Sequence, residues 1–73
     1  MRELTDRQRK VLGWVKGYIS INGYPPTRSE ISKGLGMKSP NAAHEHLMSI
    51  ERKGYIEVHY RVARGIVVLN ARS

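Results

Sequence analysis

The sequence predicts one mainly α-helical domain that ends in a small β-hairpin. Three segments begin with helix-capping residues, and the apolar spacing changes from helical to alternating after Gly54. The length of 73 residues is that of one domain, predicted over residues 1–73. With 40% hydrophobic residues, nearly every apolar side chain is needed for the core.

The first helix is predicted over about residues 6–21. Thr5 and Gln8 have the spacing of a capping box, in which each side chain bonds the backbone N–H of the other residue. Apolar residues follow at helical spacing: Val11, Val15 and Ile19. The dipeptide Asn22-Gly23 is typical of a helix end.

A rigid linker and a short second helix come next. Tyr24-Pro25-Pro26 cannot continue a helix, because proline lacks the backbone N–H and restrains the residue before it. Thr27 and Glu30 form a second capping-box pattern, so the second helix is predicted over about residues 28–35. Glycines between 34 and 36 indicate a tight turn after it.

The third helix is predicted over about residues 40–53. Ser39 suits the N-cap and Pro40 suits the first helical position. The apolar residues at spacings of four and seven define its buried face: Ala43, Leu47 and Ile50. Gly54 is the expected stop.

A β-hairpin is predicted over about residues 55–69. Ile56 and Val58 would share one face of its first strand, and the β-branched run 66–69 would form the second. The basic segment 61–65 would form the tip. The predicted order is two helices, a tight turn, a third helix and then a hairpin. This is the order of a three-helix winged helix-turn-helix.

Charge points to an anionic partner. Thirteen Lys and Arg stand against six Asp and Glu, which gives a net charge of +7 and a pI of about 10.3. Nucleic acid is the commonest partner of a small basic domain, and a generic basic protein is the alternative. The chain has no cysteine, which excludes disulfides and thiol chemistry. Neither a signal peptide nor a membrane-spanning run of about 20 apolar residues is present in the sequence.

In a helix-turn-helix, the helix after the turn enters the major groove with its N-terminal end first. With the apolar stripe facing inward, Asn41 and Glu45 point outward and Ala42 flanks them. Asparagine can form two hydrogen bonds with adenine, glutamate can accept one from cytosine, and alanine can contact the thymine methyl. The same residues would also suit a solvated first turn, where acidic side chains are favoured.

Positive charge is predicted to surround this face at helix ends, turns and the hairpin tip: Arg7, Arg28, Lys38, Arg52, Lys53 and Arg64. Such residues would contact phosphates and fix the register on DNA. Thr5 and Thr27 are helix caps first, and a phosphate contact would be a second use of the same helix starts. Arg64, beside Gly65, suits a minor groove, with an ordinary solvated hairpin residue as the alternative.

No metal, cofactor, small-molecule ligand or catalytic site is predicted. His44 and His46 are two residues apart on a helix and so do not share a face, and His59 is distant in sequence. No motif brings Ser, His and Glu together, and so short a chain leaves little room for a pocket. The chain is therefore not expected to be an enzyme.

Four stretches carry a family resemblance: LTDRQRKVL, GYPPTRSEISKGLGMKSPNAAHEHL, ERKGYIE and ARGIVVL. Over almost its whole length the chain resembles the N-terminal DNA-binding domain of the LexA repressor family. PPTRSEI followed by SPNAA at this spacing is specific to that family. The resemblance implies a bacterial cytoplasmic, nucleoid-associated repressor of DNA-damage (SOS) genes. It further implies binding as a dimer to double-stranded operator DNA with a two-fold CTG…CAG repeat.

The resemblance also implies base-reading positions. Ser39, Asn41, Ala42 and Glu45 match the recognition helix of the family, whereas His44 stands where the family has glutamate. Because a carboxylate only accepts hydrogen bonds and an imidazole can donate one, His44 implies a changed operator preference at the base it meets. The wing segment 60–62 is bulkier than the family pattern, which puts wing contacts in doubt.

The second domain of the family, which dimerises and cleaves its own linker with a Ser–Lys pair, has no counterpart after Leu69. An excised or truncated DNA-binding domain and a naturally short phage or plasmid relative both fit this. The alternative function is that of a small winged-helix protein-interaction module that modifies a full-length repressor.

Overall fold

The computed structural model describes residues 3–69, which form three helices and one hairpin. The elements are α1 (Asp6–Asn22), α2 (Arg28–Gly34), α3 (Pro40–Arg52), β1 (Ile56–Val58) and β2 (Ile66–Val68). This confirms the predicted fold class, a mainly α winged helix-turn-helix. Each helix lies within one residue of its predicted bounds. The ends of the predicted domain, residues 1–2 and 70–73, lie outside the described residues.

The helix starts follow from local capping chemistry. Thr5 Oγ1 accepts a hydrogen bond from the Gln8 N–H at 3.1 Å, and the Thr5 N–H donates to Gln8 Oε1 at 3.0 Å. Thr27 and Glu30 repeat this exchange at 3.1 and 2.8 Å. Each box satisfies N–H groups that have no partner within the helix. Ser39 caps α3, whose first residue is proline.

A left-handed glycine follows each of the three helices, at Gly23, Gly36 and the predicted stop Gly54. Gly23 takes a left-handed conformation after α1, with φ 81°, and its N–H donates to the Ile19 carbonyl at 2.8 Å. α2 ends at Gly34, one residue earlier than predicted, and the left-handed residue of the following turn is Gly36, with φ 67°. A side chain other than glycine would be strained at either turn position.

The core lies where the three helices meet the inner face of the hairpin. Its nine buried apolar residues come from every element: Val11, Leu12, Val15, Ile31, Ala43, Leu47, Ile50, Ile56 and Ile66. The predicted stripe of α3 is buried as expected, since its three residues are at most 2% exposed. Ile19 packs against the core but is only partly buried.

The hairpin is antiparallel, with Ile56 opposite Val68, Glu57 opposite Val67 and Val58 opposite Ile66. Each strand is three residues long, and both lie inside the predicted hairpin range of 55–69. Two further hydrogen bonds extend the pairing, from the His59 N–H to the Gly65 carbonyl at 2.8 Å and from the Leu69 N–H to the Tyr55 carbonyl at 3.0 Å. Ile56 and Ile66 face the core.

None of the three described helices is long and apolar enough to cross a membrane.

Candidate nucleic-acid interface

The first two turns of α3 form a polar surface opposite the core. Asn41 and Glu45 are exposed, Ala42 and His44 are partly buried, and the Ser39 side chain caps the helix by accepting from the Ala42 N–H at 3.4 Å. The structure therefore brings all five predicted base-reading residues to one end of one helix. We call these five residues the reading surface.

Helix capping does not account for Glu45. The first turn of α3 contains no acidic residue, and Glu45 is the sixth residue of the helix. The favourable effect of a carboxylate at a helix N-terminus fades within the first turn. The first turn of α3 therefore has no carboxylate beside its backbone N–H groups and its positive dipole end. A helix start of this kind favours the binding of an anion.

Three of the predicted phosphate-binding cations remain available. The side chains of Arg7, Arg28 and Lys38 are exposed and form no hydrogen bond or ion pair with residues 3–69. Lys38 directly precedes the cap of α3, and Arg28 is the first residue of α2. Arg28 and His44 line the same cavity, which has a volume of about 200 Å³ and lies between α2, α3 and the hairpin. Lys38 and Arg28 therefore lie beside the reading surface.

Lys53 and Arg52 lie at the opposite end of α3, about 20 Å from Ser39 at the helical rise. Lys53 Nζ donates to Gln8 Oε1 at 2.6 Å and to the Glu3 carbonyl at 3.1 Å, and so ties α3 to the start of α1. The Arg52 side chain is exposed and contacts Ser49 Oγ at 3.3 Å. The structure does not bring these two cations to the reading surface.

Arg64 faces inward instead of projecting from the hairpin tip. Its Nη1 and Nη2 donate to the two carboxylate oxygens of Glu30 at 2.8 and 3.0 Å. Nη1 also donates to the Pro25 carbonyl at 2.9 Å, and the guanidinium lies 4.7 Å from the centre of the Tyr24 ring. These contacts attach the wing, which is the hairpin of residues 55–69, to the start of α2. The guanidinium is therefore already occupied within the fold.

The ion pair between Arg64 and Glu30 shifts the pKa of both groups. The Arg64 guanidinium, together with the Thr27 N–H, lowers the pKa of Glu30 to about 2, and the carboxylate raises the pKa of Arg64. Both side chains are a little over one-third exposed, at 37% for Arg64 and 35% for Glu30. Solvent therefore screens the pair, and its effect on stability is smaller than the pKa shift alone suggests.

Glu30→Gln is expected to make the protein less sensitive to acid. Because the folded pKa of Glu30 lies below the unfolded value, its stabilisation is present above about pH 4.5 and is lost as the pH falls toward 2. The variant should melt below the unmodified protein at pH 7, and the gap should shrink between pH 4.5 and 2. Glu45→Gln, an exposed carboxylate, is the matched control in these melting curves. A gap that stays constant with pH would contradict the prediction.

A second attachment of the wing was not visible in the sequence. Glu51 accepts hydrogen bonds from the Val58 N–H at 2.9 Å and from the Tyr60 hydroxyl at 2.8 Å. The bond from Tyr60 to the Glu51 carboxylate raises the pKa of Tyr60. Glu51 follows the buried Ile50 on α3, and helical periodicity gave no signal of its contact with the hairpin.

Within residues 3–69 no group of three or more His, Cys, Asp or Glu side chains could hold a metal ion.

Comparison with known proteins gives a consistent result. The family model for the LexA DNA binding domain matches residues 1–65. The LexA repressor 1 of Pseudomonas syringae is 53% identical over 66 residues, which cover 90% of this chain and 33% of that protein. The LexA repressor of Haemophilus influenzae is 51% identical over 73 residues, which cover 100% of this chain and 35% of that protein.

The LexA repressor of Actinobacillus pleuropneumoniae is 50% identical over 68 residues, which cover 93% of this chain and 32% of that protein. The chain thus spans about one-third of the length of the curated relatives it matches. The family model covers both the helix-turn-helix and the wing through Gly65. By this match and these identities, the chain belongs to the LexA DNA-binding domain family.

Proposed function

We propose that this chain is the sequence-specific DNA-binding unit of a transcriptional repressor and that it places α3 in the major groove of double-stranded DNA. The observation that carries the proposal is the reading surface. It is a polar helix start without an acidic first turn, and it lies beside two cations that have no partner among residues 3–69. Membership of the LexA DNA-binding domain family supports the same function.

The reading surface would distinguish bases by hydrogen bonding and shape. Asn41 has the amide needed to bond the N6 and N7 atoms of adenine, and Glu45 can accept from the cytosine amino group. Ala42 allows close approach and can contact a thymine methyl. Ser39, the N-cap of α3, and His44, the fifth residue of the helix, complete the set.

Phosphate contacts would come mainly from Arg7, Arg28 and Lys38, whose charges have no partner among residues 3–69. The starts of α1 and α2 add backbone N–H groups next to Thr5 and Thr27, although both hydroxyls already serve as caps. Arg52 would contact the backbone from the far end of α3. For Lys53 and Arg64 we propose a structural role, because their donors are occupied within the domain.

The relatives are LexA repressors about three times the length of the chain. We propose that two copies bind one operator with two-fold symmetry, since a symmetric dimer reads a palindromic site. In this proposal the protein acts in the bacterial cytoplasm at the nucleoid and represses SOS genes.

Fluorescence anisotropy tests the proposed function on two duplexes, one carrying the CTG…CAG repeat and one scrambled, at about 50 and about 200 mM salt. Preference of about tenfold or more for one sequence at the higher salt is expected of specific readout. Equal, weak binding to both, together with a failure of random-duplex selection to enrich any sequence, would contradict the proposal. DNA-independent binding to a full-length repressor would then favour the protein-interaction module.

Arg28→Ala is expected to weaken binding to every duplex by a similar factor. Removing one phosphate contact should reduce the slope of log K against log salt by about 0.9. Lys16→Ala is the matched control, because it removes the same charge from another exposed residue. Lys16 lies on α1 and lines a different pocket, together with Glu3 and Arg9. A salt slope that is identical in Arg28→Ala and the unmodified protein would argue against a phosphate contact.

A further inference from the structure

One residue of the reading surface is held by the wing. The His44 ring packs edge-on against the Tyr60 ring, with 5.5 Å between the ring centres and 77° between the ring planes. Tyr60 is fixed in turn by the bond from its hydroxyl to Glu51. His44 and Glu51 are seven residues apart, two turns along the same side of α3, so Tyr60 bridges them.

The two ring nitrogens of His44 are in different surroundings. Nδ1 is buried and has no hydrogen-bond partner among residues 3–69. The residue as a whole is only partly buried. A buried N–H without a partner is rarer than an unpaired acceptor, so the proton of the neutral ring belongs on Nε2. The unprotonated Nδ1 of His44 therefore faces inward as an acceptor, and the Nε2–H group is the donor available to a ligand.

The surroundings place this donor beside the proposed DNA path. His44 lines the cavity between α2, α3 and the wing together with Arg28, which the proposed function assigns to the phosphate backbone. Tyr60 and Val58 line it from the wing side. The ring of His44 is thus confined on one side by aromatic packing, which restricts the directions in which Nε2 can point.

We infer that Tyr60 is a positioning residue that holds His44 as a fixed hydrogen-bond donor, so that His44 selects a base edge carrying acceptors. Guanine fits best, because its major-groove edge presents two acceptors, N7 and O6. Cytosine fits worst, because its amino group is itself a donor. The inference rests on the proposed function and assigns the wing a part in base selection through α3.

The first test needs no DNA. Long-range proton–nitrogen NMR of uniformly nitrogen-15-labelled protein identifies the protonated ring nitrogen of His44 from the two nitrogen shifts. The Nε2–H form is expected in the unmodified protein and in Tyr60→Phe, which keeps the aromatic edge. Predominance of the Nδ1–H form in the unmodified protein would overturn the inference whatever the protein binds.

The second test uses the site that the unmodified protein selects from random duplexes, with every base pair of one half-site changed in turn. At one position the unmodified protein should prefer guanine to cytosine by about tenfold, and His44→Glu should reverse that preference. Tyr60→Ala should reduce the ratio below about threefold there and leave the other positions unchanged, whereas Tyr60→Phe should keep the ratio within about threefold.

The outcomes separate the two levels of the proposal. If selection enriches no sequence, the proposed function fails, and the inference fails with it. If a site is enriched but His44→Glu leaves every preference unchanged, only the inference fails. It fails as well if Tyr60→Ala, folded by its melting curve, keeps the full guanine preference. Should Tyr60→Ala not fold, the ratio measured with Tyr60→Phe decides, and loss of guanine preference in that variant overturns the role of the ring.

Discussion

Ile31→Ala is expected to lower the free energy of unfolding by about 3 kcal/mol, because it empties part of the small core. Ile31 is 0% exposed and is the only fully buried apolar side chain of α2. With seven residues, α2 is too short to be stable by itself, so its position depends on this contact. Alanine would leave a cavity in the core, where Ile31 is buried.

The loss is large compared with the stability available to so small a domain. At about 0.05–0.15 kcal/mol per residue, a chain of this length has roughly 4–11 kcal/mol in total. The melting temperature should fall by about 12–24 °C, because 1 kcal/mol corresponds to about 4–8 °C in a domain of this size. Thermal and urea unfolding followed by circular dichroism measure both quantities.

Ile21→Ala is the matched control for this prediction. It removes the same atoms from a helical position that is 85% exposed, so almost no burial is lost. Alanine also has the higher helix propensity, and the melting temperature should stay within about 2 °C. Similar destabilisation by the two substitutions would mean that α2 does not pack through Ile31 as described.

The helix starts could be predicted from sequence because each depends on residues three positions apart. Thr5 with Gln8, Thr27 with Glu30, and Ser39 before a proline each satisfy N–H groups locally, whatever the rest of the chain does. The buried stripe of α3 was predictable for a related reason, since helical geometry alone determines which residues share a face.

Contacts between distant segments could not be predicted in this way. Arg64 lies 34 residues after Glu30, and no local pattern indicates that a hairpin arginine will reach the capping-box glutamate of α2. The indole of Trp14 likewise lies against Gly34, where an added Cβ would come within 2.6 Å of Cε2. Both contacts depend on how the elements pack, which the sequence specifies only through the whole fold.

This limit affects the candidate site unequally. Asn41 and Glu45 were placed outward by periodicity, and both are exposed in the structure. The sequence indicates the cations only by their positions near helix ends and turns, and position alone does not reveal whether a cation already has a partner. Lys53 donates to neutral oxygens of Gln8 and Glu3, and Arg64 is paired with the Glu30 carboxylate. Arg28 and Lys38 have no such partner among residues 3–69.

Asn41→Ala is expected to weaken binding to the selected operator by about 1–3 kcal/mol, or roughly five- to 150-fold, and to loosen the preference for adenine at one position. The Asn41 side chain is exposed and bonds to no group among residues 3–69, so its removal breaks nothing in the fold. Binding to scrambled DNA should change little, because phosphate contacts dominate there. Anisotropy titrations on operator variants measure all three effects.

Asn22→Ala provides the matched control, since Asn22 is another exposed helical asparagine, at the end of α1, where its amide donates to the Tyr18 carbonyl at 3.0 Å. It should leave operator affinity within about twofold, although it removes the same side chain. Asn41→Ala should also melt no lower than the unmodified protein, because alanine favours the helix. A fall in operator affinity without a fall in melting temperature therefore isolates base readout from stability. If the unmodified protein and both variants bind operator and scrambled DNA with equal affinity, the proposal that α3 reads the major groove is wrong.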